Sequence, residues 1–395
     1  MNRFFILSLS LIQLISWGSV FYAFALFVAP IEVDLDIIRA QSSMGFSLAL
    51  LMEGIFAYGV GILIDRGYER FVMTTGSLLL AFGMLALGTV HSLNSYLLAW
   101  SILGIGLSGT LYTPAFAVVT RRFPLQFRSA IITITFLGGL ASTVFIPLIY
   151  LMISKIGWRE TAYFLGILNL LFCMPLHYTI LKDAPPRDIQ ATKIKTTHMQ
   201  DIGFLELIKT PTFLFLCVFN VFFMAVTAAV PAHLINLLRE SALASWLVIA
   251  VPTGVGLLQV VGRLGLYYLE RRVESHVINR WSTCLIPISI LSLLIGYGNP
   301  IWTIIFVLTF GLGNGMLTIV RGTSVAQYLN TKQIGSLNGI IGFPVSIARA
   351  AAPLILGELW TVDYGYETGL WFLLIISVLG SISFILAQKY SLIKT

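Results

Sequence analysis

Hydrophobic residues along this chain gather in long unbroken runs rather than in alternating or heptad patterns. Runs of about 20 apolar residues recur from end to end, the length of a helix that crosses a bilayer. The ten-residue alternation of a membrane barrel does not occur. The pattern predicts twelve helices, at 4–29, 43–64, 71–90, 96–119, 130–152, 161–181, 212–235, 245–268, 281–297, 301–325, 336–357 and 369–388. Most connections are short. Residues 182–210, with "KDAPPRD" and "KIKTTHMQD", form a longer polar stretch. The expected organisation is a six-helix half over 1–181, a cytoplasmic linker over 182–210 and a second six-helix half over 211–395. The first apolar run is too long for a signal-peptide core and is followed by no small-residue cleavage site, so it reads as the first membrane helix.

Composition agrees with this pattern. The chain of 395 residues is 57% hydrophobic and 10% charged, against about 25% charged in soluble domains. The net charge of +7 does not point to nucleic acid, because the basic residues sit in short connections between apolar runs. With the N-terminus inside, seventeen of the 24 Lys and Arg residues fall on inner segments and four on outer ones, Arg39, Lys155, Arg159 and Arg239. Arg263, Arg321 and Arg349 remain within helices. That bias predicts cytoplasmic termini and suits a bacterial inner membrane. Cys173, Cys217 and Cys284 lie in apolar runs and read as unpaired helix cysteines. No cofactor, metal or ATP-binding motif occurs, so catalysis is not expected, and a monomer is the expected state.

The halves are weakly similar. "GIG" at 104–106 recurs as "GLG" at 311–313, Pro147 as Pro353, and "ETAYF" from Glu160 as "ETGLWF" from Glu367. The offsets, 206 or 207 residues, are nearly constant and predict a duplicated six-helix unit.

The stretch "GILIDRGYER" at 61–70 joins the second and third predicted helices by a tight turn. It resembles the G-x-x-x-D-R-x-G-x-R signature of the major facilitator superfamily through Gly61, Asp65, Arg66 and Arg70. Gly67 stands one place early and Glu69 is additional; in the second half Leu266 replaces the acid. "LYTPAFAVVTRRF", "GGLASTVFIPL", "GWRE", "GVGLLQVVGR" and "NGMLTIVRGT" resemble the bacterial branch related to monocarboxylate and oxalate/formate carriers. The glycine–proline signature of drug–proton antiporters on the fifth helix is incomplete. The resemblance implies a secondary transporter, a symporter or antiporter, that rocks two halves about a central site. Helices 1, 4, 7 and 10 would line the cavity, with 2, 5, 8 and 11 beside it. In the gate turn, Gly61 is expected to allow close helix approach and Asp65 to pair and release with conformation.

The ionisable residues in apolar helices, Glu53, His233, Arg263, Arg321 and Arg349, fall on those eight helices. An arginine at the centre of a membrane helix costs roughly 2.5–3.5 kcal/mol, so Arg349 needs a partner. It reads either as an anchor for an anionic substrate or as a counter-ion of Glu53. Glu53, near the middle of the second helix, is the candidate proton carrier. His233 is a second candidate on a proton path or a residue of an outer gate. Arg321 reads as a cavity or snorkelling residue, Arg263 as a gate residue and His177 as peripheral. Tyr22, Tyr112, Asn220 and Gln259 are polar groups in apolar helices, able to contact a ligand or a neighbouring helix. Pro114, Pro147, Pro252, Pro344 and Pro353 are expected to kink their helices. Three buried arginines against one buried carboxylate predict an anionic small-molecule substrate with the proton as coupling ion. Efflux of a drug-like or siderophore-like amphiphile is the alternative, a channel another. A non-transporting membrane sensor is a weaker alternative, since a sensor usually carries a soluble output domain or a long tail and the only long polar segment here is 182–210.

Overall fold

The computed structural model describes residues 3–123, 126–182, 204–269, 272–329 and 334–391; the side chains of 65, 127–129, 204, 205, 267, 326 and 334–336 also lie outside the description. Most of the 182–210 connection is therefore outside it. Among the described residues twelve helices are long and apolar enough to cross a membrane. They are α1 (Arg3–Leu35), α2 (Arg39–Asp65), α3 (Glu69–Gly88), α4 (Leu93–Arg122), α5 (Ala130–Ile156), α6 (Trp158–Ile180), α7 (Pro211–Arg239), α8 (Ser245–Leu269), α9 (Ser275–Ile295), α10 (Pro300–Leu329), α11 (Ile334–Glu358) and α12 (Glu367–Lys389). The protein is an integral, multi-pass membrane protein.

Several helices outrun their apolar stretch. α1 continues to Leu35 through Glu32 and Asp34, and α9 begins at Ser275, six residues before the expected 281. Backbone hydrogen bonding continues past the hydrophobic boundary wherever a polar turn can close it. Arg39 opens α2, and Arg280 lies inside α9, rather than in connecting segments.

Contacts divide the chain into two compact units. One comprises Met1–Gln190 with Pro231–Asn236, the other Ala191–Val230 with Leu237–Thr395. In the first, α4 packs on α2 and α3, and α3 on α6. In the second, α10 packs on α8 and α9, and α9 on α12. The pairings repeat at the spacing of the sequence repeat. Close backbone approach sets both arrangements: a Cβ on Gly104 would overlap the Ala49 carbonyl, and one on Gly315 the Gln259 carbonyl. Without a hydrophobic force between helices in lipid, such contacts carry the association.

Among the described residues four spans of the first unit are interrupted, α5 by a turn at Leu140. α1 carries a π-helical turn at Trp17–Tyr22 and α6 another at Asn169–Cys173. α4 breaks at Leu111, whose backbone is extended. Pro147, Pro252, Pro344 and Pro353 lie within helical segments that run unbroken. Pro114 alone of the five expected prolines stands beside an interruption.

Candidate functional site

Pro114 has no N–H, so the carbonyl four residues earlier, on Thr110, loses its helical donor. Gln13 of α1, wholly buried, supplies one: its Nε2 donates to the Thr110 oxygen at 2.5 Å. The break turns Tyr112 toward α1, where its ring lies 5.0 Å from Trp17 and stacks on Phe116. Trp17 meets Phe21 at 4.9 Å, and Phe21 meets Tyr22 at 5.4 Å. The two expected ligand-contacting tyrosines, Tyr22 and Tyr112, thus belong to one aromatic array built on the α1 π turn. Both are half-buried. Ser19 of that turn accepts a hydrogen bond from Asn169 Nδ2 at 2.9 Å, joining it to the π turn of α6.

Glu53 lies half-buried on α2. His233 is buried, and its Nε2 lies 3.4 Å from Ser43 Oγ within the first unit. The neighbouring Ser42 donates to Glu32, which also pairs with Arg39 at 2.9 Å. Nearby in sequence, Asp34 pairs with Arg159 at 2.7 Å. Glu32 and Asp34 are therefore engaged in helix-end ion pairs.

The turn after α2 explains its own sequence. Tyr68 N donates to Leu63 O and Gly67 N to Ile64 O, each at 2.9 Å. That is a Schellman closure, and Gly67 carries the left-handed φ of 94° that it requires. The early glycine is thus the C-terminal stop of α2. Gly61, expected at a close helix approach, faces open space: an added Cβ meets nothing within 4 Å. Close contact there is not needed in this conformation. Asp65's side chain lies outside the described residues. Arg66 is exposed. Arg70 donates to the Tyr178 carbonyl at 2.8 Å and covers its ring at 3.7 Å.

Glu69, the additional acid of that motif, proves to be its electrostatic centre. It is fully buried in the first turn of α3 and pairs with Arg122 and, at 3.4 Å, with Arg121 of α4. Arg121 also donates to Ile64 O at 2.8 Å, and Arg122 to Lys182 O at 3.1 Å. One buried carboxylate therefore ties the ends of α2, α3, α4 and α6. The signal for it was present, since Glu69 and the Arg121–Arg122 pair break the apolar pattern at matching helix ends. His177 is not peripheral within the unit: it is fully buried and its Nδ1 bonds Ser77 at 2.8 Å.

In the second unit Arg321 of α10 and Arg349 of α11 are half-buried and close enough to repel one another. The spans of this unit contain acids only at their ends, Glu358 and Glu367. Arg263 is half-buried on α8. Asn220 is buried and spends an amide donor on Leu216 O, one turn back in its own helix, at 2.7 Å. Gln259 is buried where α8 meets α10. A polar knot that the sequence reading did not single out joins α9, α10 and α12. Asn279 donates to Gln327 at 3.0 Å and to Tyr328 at 3.2 Å, and Gln388 donates to Tyr328 at 3.0 Å. Among the described residues no His/Cys/Asp/Glu cluster is suited to a metal.

Twelve spans in two units with repeated pairings, and charges confined to helix ends and a few interior positions, define a membrane transporter. The chain belongs to the Major Facilitator Superfamily, which it matches over residues 9–353. It is therefore a transporter of small molecules and not an enzyme. It is 24% identical over 377 residues to the MFS-type transporter YcxA of Bacillus subtilis (strain 168), covering 92% of this chain and 90% of that one. It is 26% identical to the agnestins efflux protein AgnL12 of Paecilomyces divaricatus, over 83% of this chain and 73% of that one. It is 25% identical to the oxalate:formate antiporter of Oxalobacter formigenes, over 54% and 50%. Its fold is similar to that of a mutant of the nucleoside transporter NupG, with a TM-score of 0.77 and 13% identity over 97% of this chain and 99% of that one.

Proposed function

We propose that this transporter carries a small carboxylate-bearing solute by alternating access of its two halves, 1–181 and 211–395, joined by the 182–210 linker, and that protons drive it. The observation behind the substrate class is the pair Arg321 and Arg349. Two guanidinium groups held within mutual repulsion in apolar spans gain most from an anion placed beside them. The likeness to an oxalate:formate antiporter supports the same chemistry. Arg349 and Arg321 anchor the carboxylate; Asn220 and Gln259 add hydrogen bonds from the second half, and Tyr22 and Tyr112 a wall from the first. Glu53 carries the coupling proton, with His233 as a second titrating group. Gly61, Asp65, Arg66, Arg70 and Arg263 belong to the gate, now joined by Glu69. The protein acts as a monomer in a bacterial inner membrane with both termini cytoplasmic.

The likeness to an efflux protein over 83% of the chain favours a second reading, export of a larger amphiphile. A thermal-shift panel separates the two. Wild type, Arg349→Gln and Glu53→Gln are heated with small carboxylates, amino acids, siderophores and cationic drugs at two pH values; a ligand of the native state raises Tm. A carboxylate that stabilises wild type and not Arg349→Gln supports the anion reading. Stabilisation of wild type and Arg349→Gln alike, by neutral or cationic amphiphiles alone, replaces it with efflux.

A further inference from the structure

The turn between α8 and α9 borders a groove of about 260 Å³ in the second unit. Leu269, Val273, Val277, Trp281, Leu285 and Met316 form most of its wall. The wall's hydroxyl, on Ser282, is buried and donates to Asn279 O at 2.8 Å, so the groove presents an apolar lining. Its rim is open to the surroundings: Trp281 is 70% exposed, Leu269 43% and Val273 40%. In a bilayer an exposed tryptophan at a helix end marks the headgroup level. Methionine lets such a wall adapt to a flexible chain.

Two exposed arginines stand beside the rim. Arg272 is exposed beside Val273, and Arg280 is exposed beside Trp281, with its Nε donating to Gln388 Oε1 at 3.1 Å. Neither has a carboxylate partner among the described residues. Glu274, also exposed on this turn, lies 3.4 Å from His276, and Glu270 and Arg271 lie outside the described residues. An apolar groove with two exposed arginines next in sequence to its rim residues suits one ligand class. None of its residues is assigned to substrate, coupling or gate.

We propose that this groove is a binding site for an anionic phospholipid. One acyl chain lies along Val277, Trp281, Leu285 and Met316, and the phosphate is held by Arg272 and Arg280. A lipid seated there bridges α8, α9 and α10 beside the Asn279–Tyr328 knot.

The test is native mass spectrometry of the delipidated, detergent-purified protein titrated with phosphatidylglycerol or phosphatidylcholine. Wild type is expected to retain one more phosphatidylglycerol than phosphatidylcholine. At about fivefold per basic residue near an anionic headgroup, Arg272→Gln with Arg280→Gln should weaken that binding about thirtyfold. Val277→Trp, which fills the groove, should abolish it. Equal retention of the two lipids, or unchanged phosphatidylglycerol binding in the double variant, overturns the proposal. Fluorescence gives a readout independent of the groove-filling variant's folding. Brominated phosphatidylglycerol should quench wild type more than Trp281→Phe, and equal quenching overturns the site. Competition by inorganic phosphate alone would mark a simple anion site and equally refute a lipid one.

Discussion

Gln13 and Thr110 stand 97 positions apart in the sequence and 2.5 Å apart in the structure, side-chain amide to backbone carbonyl. The bond exists because Pro114 leaves that carbonyl without a donor. Gln13→Leu should therefore destabilise the protein by about 1–3 kcal/mol, the cost of a buried polar group left unmade. Pro114→Ala restores the missing N–H and should recover most of that loss when combined with Gln13→Leu. The check is a double-mutant cycle on denaturant unfolding; strictly additive effects would show that the two residues do not share the carbonyl.

Glu69→Gln removes the charge that two arginines face in a buried setting. Breaking a buried ion pair from one side costs about 3–5 kcal/mol. Arg66→Gln, on an exposed neighbour in the same turn, should change stability by no more than about 0.5 kcal/mol. Comparable melting temperatures for the two variants would remove Glu69 from the centre of that cluster.

Gly138 faces the Tyr112 hydroxyl so closely that an added Cβ would overlap it. Gly138→Ala must displace the ring from Trp17, at a cost of about 1–3 kcal/mol for overpacking. Gly59→Ala meets nothing within 4 Å and serves as the control. Intrinsic tryptophan emission should shift in the first variant and not in the second; an unshifted spectrum in Gly138→Ala would mean that Tyr112 is not held there.

Tyr297, between α9 and α10, donates its hydroxyl to Leu237 O at 3.0 Å. Partial burial and then the nearby Glu240 carboxylate push its pKa from 10.0 up to about 12. A raised folded-state pKa means the neutral form is favoured in the native protein. Its stabilising contribution is therefore complete below pH 10 and is lost as pH rises from about 10 towards 12. Glu240→Gln should move the phenolate absorbance transition to lower pH. An unmoved transition would rule out the carboxylate as a cause.

The twelve spans were legible because a bilayer demands long apolar runs and little else breaks them. Their ends were less so, since Glu32, Asp34 and Arg39 look like loop residues until their ion pairs are seen. The same holds for function. Glu53, Arg321 and Arg349 announce themselves as charges in apolar sequence. Glu69 hides at a helix boundary, where charge is ordinary, and only burial between Arg121 and Arg122 distinguishes it. Gly67 looked misplaced beside a signature and was explained by local hydrogen bonding. Gln13 was invisible because its partner is a backbone atom on another helix. Nothing in the sequence marks Asn279, Gln327 and Gln388, because their union through Tyr328 depends on three helices converging.

The π turns of α1 and α6 each wind one residue more into a turn than an α-helix would. The wider turn absorbs that surplus, so side chains beyond it keep the phase they would have without it. Removing one residue from Trp17–Tyr22 would let that turn close as an α-helix and leave everything from Phe24 to Leu35 facing as it does now. The same holds for His177 beyond Asn169–Cys173. The same deletion elsewhere in α1 or α6 would rotate everything beyond it by about 100°, so these two turns are the places where either helix should accept a change of length.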